Sequence, residues 1–388
     1  MPLCPDVTVG NVCYNLTRMT IYNPEKIPQL NTLIELSALI NSSLNIVEIR
    51  KRTVEAAVRL VDAETGSLLF VDEESGGLYF DVALGEMGEY IVRNIHLQKG
   101  QGIAGWVAGR QEPVIINDVR NDPRFFKEAD RRSAFVTRSM ICLPVTLKGK
   151  LLGVLEAINK KNGLFSDEDM ELLAALSNQV AVAIENARLY DQMRETFYAT
   201  VHALADTIEK RDPYTAGHTR RVMNYSLAIG KTMGLSPKEM IDLKLSAILH
   251  DIGKIGIKDS ILLKNEQLTF DEYNAIIMHP GYGAEILTHI RQLREIVPGV
   301  KWHHEKYDGS GYPEGLKGEA IPLIARIIAV ADTFDAMTTD RPYRKGLGTQ
   351  ASLEELRAKT GSQFDPVVVD AFVKAFSGPE SDRPGAGE

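Results

Sequence analysis

HHEKYDGSGYPEGLKGEAIPLIARIIAVADTFDAM, residues 303–337, joins two patterns that rarely sit together. Its second half is a strongly apolar helix in which an unpaired carboxylate at Asp332 would be costly. Its first half opens with adjacent His303 and His304, whose side chains would diverge by about 100° on a helix. A glycine-rich loop separates the two. Buried carboxylate, paired imidazoles and a tight loop suggest a site built on helices.

Upstream of this stretch, the same pairing of histidine with helix ends recurs. His218 is in phase with Val222, Tyr225 and Ile229, so it belongs to the inward face of its helix. His250 and Asp251 close a helix that starts at Ser236, where Gly253 breaks it. His279 is expected to end the helix begun at Thr269, since Pro280 and Gly281 should not continue it. Helix starts are marked by Ser236-Pro237 with Glu239 and by Thr269 with Glu272, both capping boxes. From residue 211 to 376 the patterns are helical throughout.

Seven of the eight histidines lie between positions 202 and 304. For any one of them, a satisfied core residue is the commoner explanation. The His250-Asp251 and His303-His304 pairs with a buried Asp332 shift the reading to a metal site. Imidazole with carboxylate suits Fe, Mn, Zn, Co or Ni rather than Mg or Ca.

The N-terminal half has another period. Residues 1–28 carry Pro2, Pro5, Pro24 and Pro28 and read as a loose arm; Leu33, Leu36 and Ile40 then mark a helix, and 46–61 a second. SLLFVDEESGGLYFDVAL (67–84), QEPVIIND (111–118) and MICLPVTLKGKLLGVLEAINK (140–160) read as strands, with Gly149 turning a hairpin. Helices around an antiparallel sheet of five or six strands make an α+β domain. Across 170–210, Leu173, Leu176, Val180, Ala183, Ala187, Tyr190, Arg194, Phe197, Val201, Leu204 and Ile208 step by three and four. One amphipathic helix on its own domain would explain this. The preferred reading is a parallel coiled-coil connector in a homodimer. Residues 377–388 read as a disordered tail.

The chain has 388 residues, 44% apolar and 25% charged, with a net charge of -8, as expected of a soluble multidomain protein. No basic stripe suits a polymeric nucleic acid. Cys4, Cys13 and Cys142 form no CxxC pair, which argues against disulfides and thiolate zinc and for the cytoplasm. There is no signal-peptide pattern. The apolar runs AVAI and IIAVA fall far short of the ~20 residues a membrane span needs.

Residues 29–187 resemble a GAF domain through GQGIAGWV (100–107), PVIINDV (113–119) and INKKNGLFSDED (158–169). NKKNGLF is similar to a segment of cyclic-nucleotide-binding GAF domains, although such segments also occur without that ligand. The GAF ligand stays open. Cys142 and His96 read as ordinary core or surface residues.

Residues 195–376 resemble the HD-GYP subfamily of HD-domain phosphohydrolases, an all-α fold. The resemblance rests on RDPYTAGHTRRV (211–222), LHDIGKIGI (249–257), MHPGYGAEIL (278–287), the stretch from 303 to 344 and GSQFDP (361–366); GYP is Gly311-Tyr312-Pro313. It implies metal ligation by His218, His250, Asp251 and Asp332. His279, His303 and His304 would complete a second metal, with Asp251 bridging. It implies hydrolysis of cyclic di-GMP to pGpG or GMP, with iron or manganese as the expected metals. Asp251 and Lys254 are the implied catalytic residues, and Lys254, Asp308, Tyr312, Arg341 and Arg344 the substrate contacts. Where some members have a third-metal Glu, this chain has Tyr214, so two metals are expected. A cyclic di-GMP receptor with little turnover, or a hydrolase of another cyclic dinucleotide, are the alternatives.

Overall fold

A computed structural model describes residues 27–72, 74–85, 87–133, 135–211, 217–264, 266–340 and 345–376. Tyr214, Arg341, Arg344, the tail and most of the expected arm lie outside the described residues. Backbone contacts divide the chain into two units, Met1–Met193 and Arg194–Glu388.

The first unit is built on a six-stranded antiparallel sheet: β1 Ala63–Val71, β2 Leu78–Ala83, β3 His96–Leu97, β4 Val114–Ile116, β5 Met140–Leu147 and β6 Lys150–Lys160. Their order is β3-β2-β1-β6-β5-β4. The β5–β6 turn has Lys148 at φ 49° and Gly149 at φ 79°, the left-handed pair that a two-residue hairpin requires. Strand alternation sends Leu68, Phe70, Ile141, Leu143 and Leu155 to one face, against the helix Ile46–Leu60. Leu69, Met140, Cys142 and Val154 face the other way, toward Ile103 and Val107 of the helix Gly102–Arg110. In this register Ser67 and Cys142 both lie opposite Glu156.

One expectation is corrected here. Leu173, Leu176, Val180, Ala183 and Ala187, on the helix Asp167–Arg211, are all buried in the core of the first unit itself. Side chains already covered by their own domain cannot be the knobs of an inter-chain coil. Of the expected seam, Tyr190 and Leu204 are exposed, as are Val182, Leu189 and Met193 outside it. The helix Ile27–Asn41 also begins inside the expected arm, with Pro28 tolerated in its first turn.

The second unit is helical, and its one bridge among the described residues joins Thr360 to Phe364. Val222, Tyr225 and Ile229 turn inward from the helix His218–Met233, as their spacing predicts. Tyr225, Phe334 and Phe372 interlock edge to face, with centroids 4.8–6.0 Å apart. Both expected capping boxes are present. His279, however, starts a helix, His279–Thr288, rather than ending one. Pro280 is its second residue, where a missing N–H costs nothing.

Candidate metal centre

Four short pieces of chain bring the histidines together. His218 is the first residue of its helix, and His250 caps the helix Pro237–Leu249. His279 opens its own helix, and His303 caps the helix Val297–Trp302. The turn after Asp251 lies tight against the helix carrying His279. A Cβ on Gly253 would collide with the His279 carbonyl, so only glycine permits that approach. His218, His250, His279 and His303 are 7%, 1%, 2% and 1% exposed.

The ring nitrogens are sorted by their outer partners. His250, His279 and His303 donate from Nδ1 to the carbonyls of Ala247, Ile276 and Val300 at 2.8, 2.8 and 2.7 Å. His218 donates from Nδ1 to Asp335 at 2.7 Å. Each Nε2 is thereby left as a lone pair facing inward. Those lone pairs meet in twos, His218 with His250 at 3.3 Å and His279 with His303 at 3.4 Å. Two facing acceptors repel unless a cation or a proton lies between them. His218, His250 and Asp251 form one group that could hold a metal ion, and His279, His303 and His304 form another. The donor set therefore fits divalent metals.

Asp251 stands between the groups. Its Oδ2 lies 3.5 Å from His250 Nε2 and 3.8 Å from His218 Nε2, while Oδ1 lies 3.3 Å from His279 Nε2. Lys254 reaches Oδ2 at 2.7 Å. Burial opposes ionisation of Asp251, yet Lys254 and the neighbouring imidazoles hold its carboxyl well below the usual range. Asp332 Oδ1 lies 3.5 Å from His218 Nε2.

Burial lowers His250 and pushes His303 well down, and it takes His304 to about 4. These imidazoles are neutral at pH 7, as ligation demands. His218 is the exception. Burial lowers it, but Asp335, Asp332 and Asp251 together raise it. A proton on its Nε2 and a cation would occupy the same place.

All seven expected ligands are thus gathered. His202, His289 and His96 are exposed and belong to neither group. Tyr312 lies beside His304, ring centroids 4.9 Å apart, and burial pushes its phenol up. Asp308 is exposed and accepts from the Ser310 amide at 2.8 Å within its own loop. Three functional positions escape the sequence reading. Asp335 backs His218, Arg221 grips Asp335 at 2.6 Å, and buried Glu305 accepts from the amides of Glu314, Gly315 and Leu316 at 2.7, 3.0 and 3.1 Å. Asp335 has a legible signal, being a second acid three residues after Asp332 in the same apolar helix. Glu305 has none, since its partners are backbone amides.

The end of the helix Asp167–Arg211 is tied to the same site. Glu209 accepts from the Thr219 amide at 3.3 Å, next to His218. Arg211 donates to the carbonyls of Ile255 and Ile257 at 3.1 and 3.2 Å, and to Asp259.

Residues 202–368 match the HD domain family, and residues 43–185 match the GAF domain family. The chain carries a GAF domain followed by a helical HD domain whose buried histidines and aspartates could hold divalent metal. Among its relatives is the cyclic di-GMP phosphodiesterase response regulator RpfG of Xanthomonas campestris, 43% identical over 50% of this chain and 53% of its own length. A cyclic di-GMP phosphodiesterase of Thermotoga maritima is 36% identical over 60% of this chain and 63% of its own. The 3'3'-cGAMP-specific phosphodiesterase 2 of Vibrio cholerae is 36% identical over 54% of this chain and 40% of its own. The chain thus spans only about half the length of these relatives. No helix among the described residues is long and apolar enough to cross a membrane.

Proposed function

We propose that this chain is a metal-dependent phosphodiesterase of the HD-GYP subfamily that hydrolyses cyclic di-GMP to pGpG or GMP. The observation that carries the reading is Asp251, whose two oxygens face two separate groups of lone-pair imidazoles while Lys254 holds one of them. His218, His250, Asp251 and Asp332 would hold one cation, and His279, His303, His304 and Asp251 the other; iron or manganese is the proposed pair. Bound there, two divalent cations polarise a phosphate and acidify water.

The chain's own residues supply the rest. Lys254 places its ammonium 2.7 Å from the carboxylate proposed to bridge, where it would also meet a phosphate oxygen. Tyr312 offers a ring beside His304 for a guanine to stack on, and Asp308 lies in the same loop. Arg341 and Arg344 are proposed as further donors to phosphate or guanine. With Tyr214 in place of a carboxylate, two metals rather than three are proposed.

The names of the Xanthomonas and Thermotoga relatives support cyclic di-GMP as the substrate. A second reading, hydrolysis of 3'3'-cGAMP, is favoured by the Vibrio relatives named for it. A receptor with little turnover is disfavoured, because such a module need not retain all seven ligands. Residues 29–187 would be the sensor, 170–210 the connector and 195–376 the catalytic domain of a cytoplasmic homodimer. The decisive experiment is turnover of both cyclic dinucleotides by the purified chain, with metal content measured on the same sample. Cleavage of cyclic di-GMP by protein holding two metals is expected. A fully metallated chain that cleaves neither dinucleotide overturns the reading.

A further inference from the structure

The first unit holds a cavity of about 400 Å³, lined by Ser67, Met140 and Ile158 of the sheet and by Ile91 and Ile103 of the helices Gly88–Asn94 and Gly102–Arg110. That volume falls at the lower end of small-molecule sites. Its walls are largely apolar, with Phe80, Leu97, Phe125 and Phe126 among them.

Glu156 interrupts that wall. Alternation along β6 puts Val154, Glu156 and Ile158 on one face, where a core position calls for an apolar side chain. Glu156 is 4% exposed and sits in a row across three central strands, with Ser67 on one side and Cys142 on the other. Ser67 Oγ donates to its Oε2 at 2.5 Å, while among the described residues Oε1 has only the Cys142 thiol, a weak donor, at 3.8 Å. This is a buried acid without a full set of donors.

The other two carboxylates of the cavity are answered internally. Glu64 accepts from Arg138 at 2.5 Å and from Asn159 at 2.8 Å. Asp130 accepts from the Thr137 amide and hydroxyl at 2.8 and 2.7 Å. Among the described lining residues there is no lysine, arginine or histidine. With Glu64 already paired to Arg138, an anionic ligand would meet Glu156 and Asp130 and find no cation among the described lining residues. The NKKNGLF segment does not change this, because it lines no part of the cavity and sends Phe165 into the core on the opposite sheet face.

We propose that this cavity is a binding site for a small flat nitrogen compound, an aryl or heteroaryl amine or amidine, whose N–H donors meet Glu156. The phenylalanines receive its ring, which a cationic edge would further favour. Phosphate esters, cyclic nucleotides included, find no complementary charge among the described lining residues. Burial raises the Glu156 carboxyl to about 7, the behaviour of an acid whose missing partner would be a donor. The inference goes beyond the chemistry of the second unit and does not depend on it.

The test is isothermal titration of the 388-residue chain with 2-aminoquinoline, benzamidine and 2-aminobenzimidazole, set against quinoline-2-carboxylate, benzoate and cyclic GMP. At least one donor should bind once per chain, with a Kd of about 1 mM or tighter. Glu156→Gln should weaken that binding tenfold or more. Ile91→Trp, which fills the cavity from a half-buried position, should abolish it, with both variants checked for native melting. Asp251→Ala should bind as the parent does, which separates this site from the metal centre. Absence of binding by all three donors up to about 10 mM overturns the proposal. So does unchanged binding in Glu156→Gln, or cyclic GMP binding that Ile91→Trp removes.

Discussion

Asp335 holds His218 from behind: Nδ1 of the imidazole donates to the carboxylate at 2.7 Å, and Arg221 grips both oxygens of the same carboxylate at 2.6 and 3.1 Å. The contact sets which ring nitrogen carries the proton, so it sets which one is free for a metal. Asp335→Asn should therefore weaken the metal at His218 by about 10–100-fold while the fold survives. Titration with a competing chelator reads this directly. Unchanged metal affinity would show that the Asp335 contact is only packing.

Asp251→Ala should abolish hydrolysis and leave helical content intact, because among the described residues its carboxylate is the one that faces both histidine groups. Lys254→Ala should slow turnover by about one to several orders of magnitude, each tenfold being about 1.4 kcal/mol of lost charge stabilisation. Steady-state kinetics with metal content measured on each variant separates these outcomes. Parental rates in either variant would move the reaction away from Asp251.

Stripping divalent metal should destabilise the second unit, since two pairs of facing lone pairs then lose what holds them together. A chelator-treated sample should melt lower than the metallated one, and manganese should restore it. Because binding stabilises the native state by mass action, the recovery should grow with metal concentration. Identical melting with and without metal would contradict the geometry of His218–His250 and His279–His303.

The acid at Glu156 makes the first unit sensitive to pH. Its carboxyl titrates near 4.5 when unfolded and near 7 when buried. Between those values the native state keeps a proton that the unfolded chain has lost, so stability falls as pH rises through the window and levels off above it. The whole drop is about 3 kcal/mol at most. Glu64 and Asp130 face the same cavity but persist in the control. Melting followed through Trp106 in a Trp302→Phe background should show the fall, and Glu156→Gln should flatten it. An equal pH slope in both proteins would exclude Glu156 as its source.

Glu209 and Arg211 fasten the end of the long helix beside His218 and to the turn after Lys254. If signals pass along that helix, inserting four residues after Arg194 should alter turnover, since it rotates the chain beyond the insertion by about 40°. Seven residues, about 20° in the opposite sense, should be milder. Equal activity in both would reduce the helix to a tether. Light scattering at micromolar concentration tests the proposed homodimer, and a monomer would remove it.

Much of the site is legible because metal ligation needs particular side chains at helix ends, and His250-Asp251 and His303-His304 display both in the sequence. The start of the helix at His279 is easily misread because proline blocks a helix interior and equally suits a first turn; only the chain beyond it decides which applies. The seam from Leu173 to Ala187 misleads for a related reason. A stripe at helical spacing says that a face is covered, not what covers it.

By itself, the order of residues determined the α+β sheet domain, the all-helical domain after it and the set of imidazoles and carboxylates that ligation would use. Those come from period and residue type, which are local. The tertiary structure alone decided that Asp251 faces both histidine groups, that Asp335 and Arg221 stand behind His218, and that Glu156 lies between Ser67 and Cys142 in a cavity wall. Each of these joins residues from separate elements, and such contacts depend on packing that no stretch of sequence contains.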